Sequence, residues 1–164
     1  MKFPANTVRS SLRSPLGTII LAATDTALVG LWFDGQSHQP DTNVWPVATQ
    51  HPVMRAASDQ LQQYFAKERT VFELPLDLSG GTAFQQQVWA QLRAIASGAT
   101  VSYRHIGQQM RNALAVRAVG AAVGRNPLSI IVPCHRVLGA NGALTGYAGG
   151  LDRKVALLQL ESPQ

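Results

Sequence analysis

Leu128-Ser129-Ile130-Ile131-Val132-Pro133-Cys134-His135-Arg136-Val137 is the stretch on which the reading of this chain turns. A short apolar run of β-branched character reads as a buried strand, and the proline at its end marks a turn. Directly after that proline stands the only cysteine of the 164 residues, followed by an imidazole and a guanidinium. An unperturbed thiol, with a pKa of about 8.5, is only a few per cent thiolate at neutral pH, and burial lowers that fraction. A neighbouring base and a positive charge reverse the penalty, and His135 and Arg136 are those two groups. A lone cysteine is more commonly a small buried hydrophobe. Successive strand residues also face opposite ways, so contact between Cys134 and His135 requires the turn.

Moving outward from Cys134, further blocks follow in a fixed order. Phe84-Gln85-Gln86-Gln87-Val88-Trp89, Val101-Ser102-Tyr103, Ala115-Val116-Arg117-Ala118-Val119-Gly120 and Asn126-Pro127 precede it. Leu144-Thr145-Gly146-Tyr147-Ala148-Gly149-Gly150 comes after it. From Gly81 to Glu161 the chain resembles the O6-alkylguanine-DNA alkyltransferases, DNA repair proteins that move an alkyl group from guanine to their own cysteine. The first half resembles them more loosely.

That resemblance implies roles for particular residues. Cys134 is the nucleophile, His135 draws its proton through a water, and Glu161, 27 residues on, orients and charges the imidazole. Asn126 holds the turn before the active-site strand. The target base lies inside a duplex and has to be extruded. Arg117 is expected to fill the gap it leaves, and Tyr103 to crowd the phosphate and donate to the purine ring. The backbone of Cys134 and Val137 would accept from the exocyclic amine, the Ala148 amide would donate to O6, and Tyr147 would wall the pocket. Gly146, Gly149 and Gly150 would shape the loop. Ser102, Gly120 and Arg125 complete the expected DNA-contacting set. The resemblance further implies double- or single-stranded DNA containing O6-alkylguanine as partner, with O4-alkylthymine as a second substrate. It implies no cofactor, and a monomer that can bind DNA cooperatively. Ala96 stands where many members have proline, and Ala148 where some have serine. Some animal members carry an amino-terminal zinc site; with one cysteine and scattered His38, His51, His105 and His135, no metal is expected here.

Charge supports a polyanionic partner. Residues 1–81 hold six Lys/Arg against seven Asp/Glu, a net of −1, whereas residues 82–164 hold eight against two, a net of +6. All of the excess positive charge lies in the half that carries the cysteine, as suits DNA. Hydrophobic content of 46% with 14% charged residues describes a folded chain rather than a disordered one. A single cysteine forms no internal disulfide, the first six residues lack a signal-peptide core, and no apolar run is long enough to span a membrane. A cytoplasmic protein is the expectation.

Patterning predicts two parts, 1–79 and 80–164, divided at Ser79-Gly80-Gly81. The first is an α/β domain, RNase H-like by resemblance. Gly17–Thr24 and Ala27–Phe33 read as a hairpin, 34–50 as a loop, and Thr70–Leu78 as a further strand. Pro52 opens a helix with Met54, Ala57, Leu61 and Phe65 inward. The second part is mostly helical, with a helix-turn-helix (winged-helix-like). A Thr82/Gln85 capping box starts one helix carrying Phe84, Val88, Leu92 and Ile95 inward. Ser102 caps a short helix to Met110, and Asn112 another to about Gly124, with Val116, Val119 and Val123 inward and small residues elsewhere. Leu151, Val155 and Leu158 mark a last helix ending near Glu161.

Three other readings fit less well. A non-catalytic module that flags damaged bases would lack Cys134. A helix-turn-helix regulator leaves the Cys-His pair without a task, and a fused repair sensor needs more chain than 164 residues.

Overall fold

The structure, a computed structural model, describes residues 1–163. The amino-terminal sheet is built from strands β1 (Val8–Ser14), β2 (Gly17–Ala23) and β3 (Leu28–Phe33), antiparallel in the order β1-β2-β3. The expected hairpin is β2–β3, with Ile19 opposite Phe33 and Leu21 opposite Leu31. Every residue of β3 is buried, so the sheet is covered on both faces. Ile19, Leu21, Leu31 and Phe33 enter the main core. On the other face Ile20, Ala22, Val29 and Trp32 meet Phe3 and Trp45, with Trp32 stacked 6.1 Å from Trp45 and Phe3 edge-on to both. β1 was not foreseen. Arg9, Ser10, Ser11 and Arg13 leave it too polar to announce a strand, which is the composition an edge strand has.

Thr70–Leu78 is not a strand. Only Leu76 bridges to Leu28, flanked by Leu28 N–H to Pro75 O at 2.8 Å and Asp77 N–H to Leu28 O at 2.9 Å. Pro75 has no N–H to continue a ladder. Helix α1 (Pro52–Phe65) starts as expected, with His51 Nδ1 accepting from Val53 N–H at 3.2 Å. Its inner face is Met54, Ala57, Leu61 and Tyr64, and Phe65 is only half-buried.

The second part contains α2 (Ala83–Arg93), with the Thr82/Gln85 capping box formed, α3 (Tyr103–Gln109), α4 (Val116–Gly124) and α5 (Leu151–Glu161). Two short strands, β4 (Val101–Ser102) and β5 (Val137–Leu138), pair in parallel. Three expectations are corrected here. Asn112 caps nothing: its N–H closes α3 by donating to Gly107 O at 2.8 Å, after Arg111 turns left-handed, and α4 starts at Val116 without a side-chain cap. The run Leu128–Val132 is not a strand, since only Leu128 bridges to Leu31 and Ile130 has a φ of 71°. In α5 the buried residues are Lys154 and Leu157, while Leu151 is 47% exposed.

One continuous core joins the two parts. The inner face of the sheet, α1, α2 and α4 and the segment 128–132 share it. Trp89 Nε1 donates to Ala122 O at 2.9 Å, locking α2 to α4. β3 supports the cysteine segment directly: Leu31 N–H donates to Pro127 O and Ser129 N–H to Leu31 O.

Candidate active site

Cys134 is placed by a backbone that leaves regular structure just before it. Asn126, 4% exposed, ties the segment together: Nδ2 donates to Val132 O at 2.7 Å and Oδ1 accepts from Leu128 N–H at 2.9 Å. This is the turn-holding task expected of it. Cys134, His135 and Arg136 then form a single 3-10 turn, closed by Val137 N–H to Cys134 O. The turn breaks strand alternation, so neighbouring side chains need not point to opposite faces.

His135 is fully buried and its Nε2 lies 2.8 Å from Glu161 Oε1. Arg136 grips the same carboxylate with both edges, Nη2 to Oε1 at 2.7 Å and Nε to Oε2 at 2.9 Å, while Nη1 donates to Ile95 O. Burial alone would push the Glu161 carboxyl up. The hydrogen bonds and charges of His135 and Arg136 outweigh it and hold the group at about 2. The histidine is pulled below its ordinary value, because burial outweighs the attraction of Glu161. His135 therefore rests neutral, with a buried Nδ1 that has no hydrogen-bond partner among the described residues.

The thiol does not gain from Arg136 as the sequence suggested, because that guanidinium is committed to Glu161. Burial pushes the Cys134 thiol up, and the Asn126 side chain and the Lys154 charge only reduce the rise. The cysteine thus rests as a thiol and needs a base to become a nucleophile.

Cys134 lines a cavity of about 230 Å³ together with Tyr103, Tyr147 and Ala148, residues expected around the substrate, and Gly120, expected only on the DNA face. Burial pushes the Tyr103 hydroxyl up, so it stays protonated and can donate. The Tyr147 hydroxyl is buried and has no hydrogen-bond partner among the described residues. Gly146 and Gly150 take positive φ, as turns require, whereas Gly149 is needed for space. A Cβ there would come 2.7 Å from the Tyr147 ring and 3.0 Å from Phe33. Other expected residues lie elsewhere. Val137 is buried in β5, and Ser102 is spent capping α3, accepting from His105 N–H at 3.0 Å. Arg117 is exposed on the first turn of α4 and does not line the cavity. Arg125, just after α4, lines a separate cavity of about 330 Å³ that shares His38 with the first.

Several participants were missed. Lys154 is fully buried and donates to Val137 O at 2.6 Å, Thr145 O at 3.0 Å and Gly146 O at 3.2 Å, tying α5 to the loop that walls the cavity. Burial lowers its pKa, and a negative Cys134 would raise it. The spacing 154, 157, 161 is a helical stripe that could have revealed it, had a lysine been allowed to face inward. Ser37 and His38 reach the cavity from the loop after β3, where Ser37 N–H donates to Ala148 O at 3.0 Å. Tyr64, from α1, donates to Glu161 Oε1 at 2.8 Å. No pattern in the sequence links those positions. Among the described residues, no group of three or more His, Cys, Asp or Glu gathers as metal ligands would.

Fold and site together define a protein with a sheet-containing first part, a helical second part and a buried cysteine on a cavity wall, next in sequence to a histidine bound to a glutamate. Comparison with known proteins narrows that class. Residues 83–163 match the DNA-binding domain of 6-O-methylguanine DNA methyltransferase, and residues 7–78 its ribonuclease-like domain. The chain is 48% identical over 149 residues to a methylated-DNA–protein-cysteine methyltransferase of Mycolicibacterium paratuberculosis, covering 90% of this chain and 88% of that one. A crystal structure of the Mycobacterium tuberculosis O6-methylguanine methyltransferase superposes with a TM-score of 0.87 at 46% identity, covering 94% and 92% of the two chains. The Mycobacterium tuberculosis protein in complex with DNA superposes with a TM-score of 0.84 at 46% identity, covering 93% of each chain. The chain belongs to the 6-O-methylguanine DNA methyltransferase family.

Proposed function

We propose that this protein repairs O6-alkylguanine in DNA by moving the alkyl group to its own Cys134, once per molecule. The observation that carries the reading is Cys134 in a cavity wall, next in sequence to a neutral His135 whose Nε2 is bound by an ionised Glu161. His135 Nδ1, through a water, takes the thiol proton. Sγ attacks the alkyl carbon, the S–C bond forms and the C–O6 bond breaks, and the electron pair goes to the purine. Tyr103 donates to the ring as charge builds there, and the purine ends with the proton the thiol gave up. The balance needs no cofactor or second reactant. The product thioether has no leaving path, so turnover stops at one. O4-alkylthymine is a second substrate of the same chemistry.

The helix-turn-helix of α3 and α4 enters the minor groove, and Arg117 occupies the stack while the damaged nucleotide swings into the cavity. Its exposure outside the cavity suits a wedge. Arg125 serves the DNA face, Ser102 supports it by capping α3, and Gly120 leaves room where that face meets the cavity. Residues 1–79 form an RNase H-like domain and 80–164 a winged-helix-like one; the protein works as a cytoplasmic monomer.

Intact-protein mass after mixing with a slight excess of duplex carrying one O6-methylguanine tests the reading. One added methyl per protein, mapped to the Cys134 peptide and absent in Cys134→Ala, is the expected result. An unchanged mass on folded protein bound to the lesion would replace this reading with a recognition module.

A further inference from the structure

We propose that Tyr64, a residue of the amino-terminal unit, is a positioning residue of the transfer site, holding Glu161 in the orientation that serves His135. The inference rests on the transfer reading above.

Tyr64 and Glu161 stand 97 residues apart, and the Tyr64 hydroxyl reaches Glu161 Oε1 at 2.8 Å. That oxygen is the one His135 Nε2 meets, and Arg136 Nη2 donates to it as well. Three groups thus converge on one atom, and only Tyr64 comes from outside the cysteine turn. The tyrosine is 2% exposed, and its ring is held by Phe65 at 5.3 Å and Phe72 at 5.5 Å. The hydroxyl is therefore fixed by packing before any substrate arrives.

Glu161 needs such support. It is the last residue of α5, where helix ends fray and free carbonyls disfavour a negative charge. Burial and the adjacent carboxylate keep the Tyr64 proton in place far above the ordinary tyrosine range, so the residue acts as a fixed donor rather than an acid. With Tyr64 present, Oε1 is pinned against Nε2, which leaves Nδ1 as the nitrogen that handles the thiol proton. Without the hydroxyl the carboxylate keeps Arg136 but can turn on it, and its negative charge is shared by one donor fewer. His135 then holds a proton more readily. The charged groups acting on the imidazole are Glu161 and Lys154 of α5 and the adjoining Arg136. None of these is altered by the substitution.

The test is the second-order transfer rate on O6-methylguanine duplex, measured from pH 5 to 9 for wild type, Tyr64→Phe and the packing control Val29→Ala on the outer face of the sheet, with melting temperature and DNA affinity alongside. Tyr64→Phe should bind DNA within about twofold of wild type, transfer about tenfold more slowly at neutral pH, and show its acid limb moved to higher pH. Val29→Ala, buried in the outer cluster away from Tyr64, should lose melting temperature while keeping the wild-type pH profile. Equal rates and profiles for wild type and Tyr64→Phe overturn the proposal. So does a Tyr64→Phe rate loss that merely follows the unfolded fraction. A wild-type protein that transfers nothing overturns the repair reading instead, and this inference falls with it.

Discussion

Lys154 shows how far one residue can depart from its type. A lysine is almost never fully buried without partners, and here three backbone carbonyls take the three protons of its ammonium. Lys154→Met keeps the length and leaves those carbonyls unpaired, so we expect a loss of about 3 kcal/mol in denaturant unfolding. Slower transfer should accompany it, because Thr145 and Gly146 belong to the cavity loop. Unchanged stability would mean that water replaces the ammonium without cost. Cys134 makes the opposite case, since its thiol rests protonated and carries little of the fold. Cys134→Ala should melt within a few degrees of wild type and bind lesion DNA normally in a gel-shift titration, while transferring no methyl group.

At the scale of elements, start signals are written locally and inner faces only in part. The Thr82/Gln85 capping box satisfies two amides of α2, at 3.1 Å and 2.9 Å. Thr82→Ala should therefore cost about 1 kcal/mol, measured by urea unfolding, without altering transfer by the remaining folded protein. Helix α4 has no such cap and packs through Val119, Ala122 and Val123. Arg117 stands off that face, so Arg117→Ala should leave stability within about 0.5 kcal/mol of wild type. It should slow repair in duplex DNA far more than reaction with free O6-methylguanine base, and equal slowing on both substrates would remove its wedge role.

Across the whole molecule, the buried carboxylate and imidazole make the fold sensitive to acid. Glu161 sits at about 2 against an ordinary 4.5, so between those values the unfolded chain takes up a proton that the folded one refuses. The resulting stabilisation, on the order of 3 kcal/mol, is complete above about pH 5 and is lost as pH falls toward 2. His135 lies below its ordinary 6.5, so unfolded protein also gains that proton first and stability begins to fall as pH drops below about 6.5. The two act in the same direction. Melting temperature should decline steadily from pH 7 to pH 3, and Glu161→Gln, less stable at neutral pH, should lose the portion of the slope below pH 5. A flat wild-type profile would show that the pair is not held as the geometry requires.

What the sequence determined by itself was local chemistry and order. The single cysteine beside a histidine, the capping residues Thr82 and Ser102, the β2–β3 hairpin, the valine face of α4 and the glycines of the 144–150 loop are all readable from neighbours a few residues apart. Periodicity and turn chemistry act at that range. Only the tertiary structure decided which distant groups meet. Arg136 turned to Glu161 rather than Cys134, Lys154 faced inward, Ile130 took a left-handed bend where a strand was expected, and Tyr64 and Ser37 crossed from the first half to the site. Such contacts follow from how the sheet, α1 and α5 pack around one core. Burial in that core, rather than any short motif, sets the protonation of Cys134, His135 and Glu161.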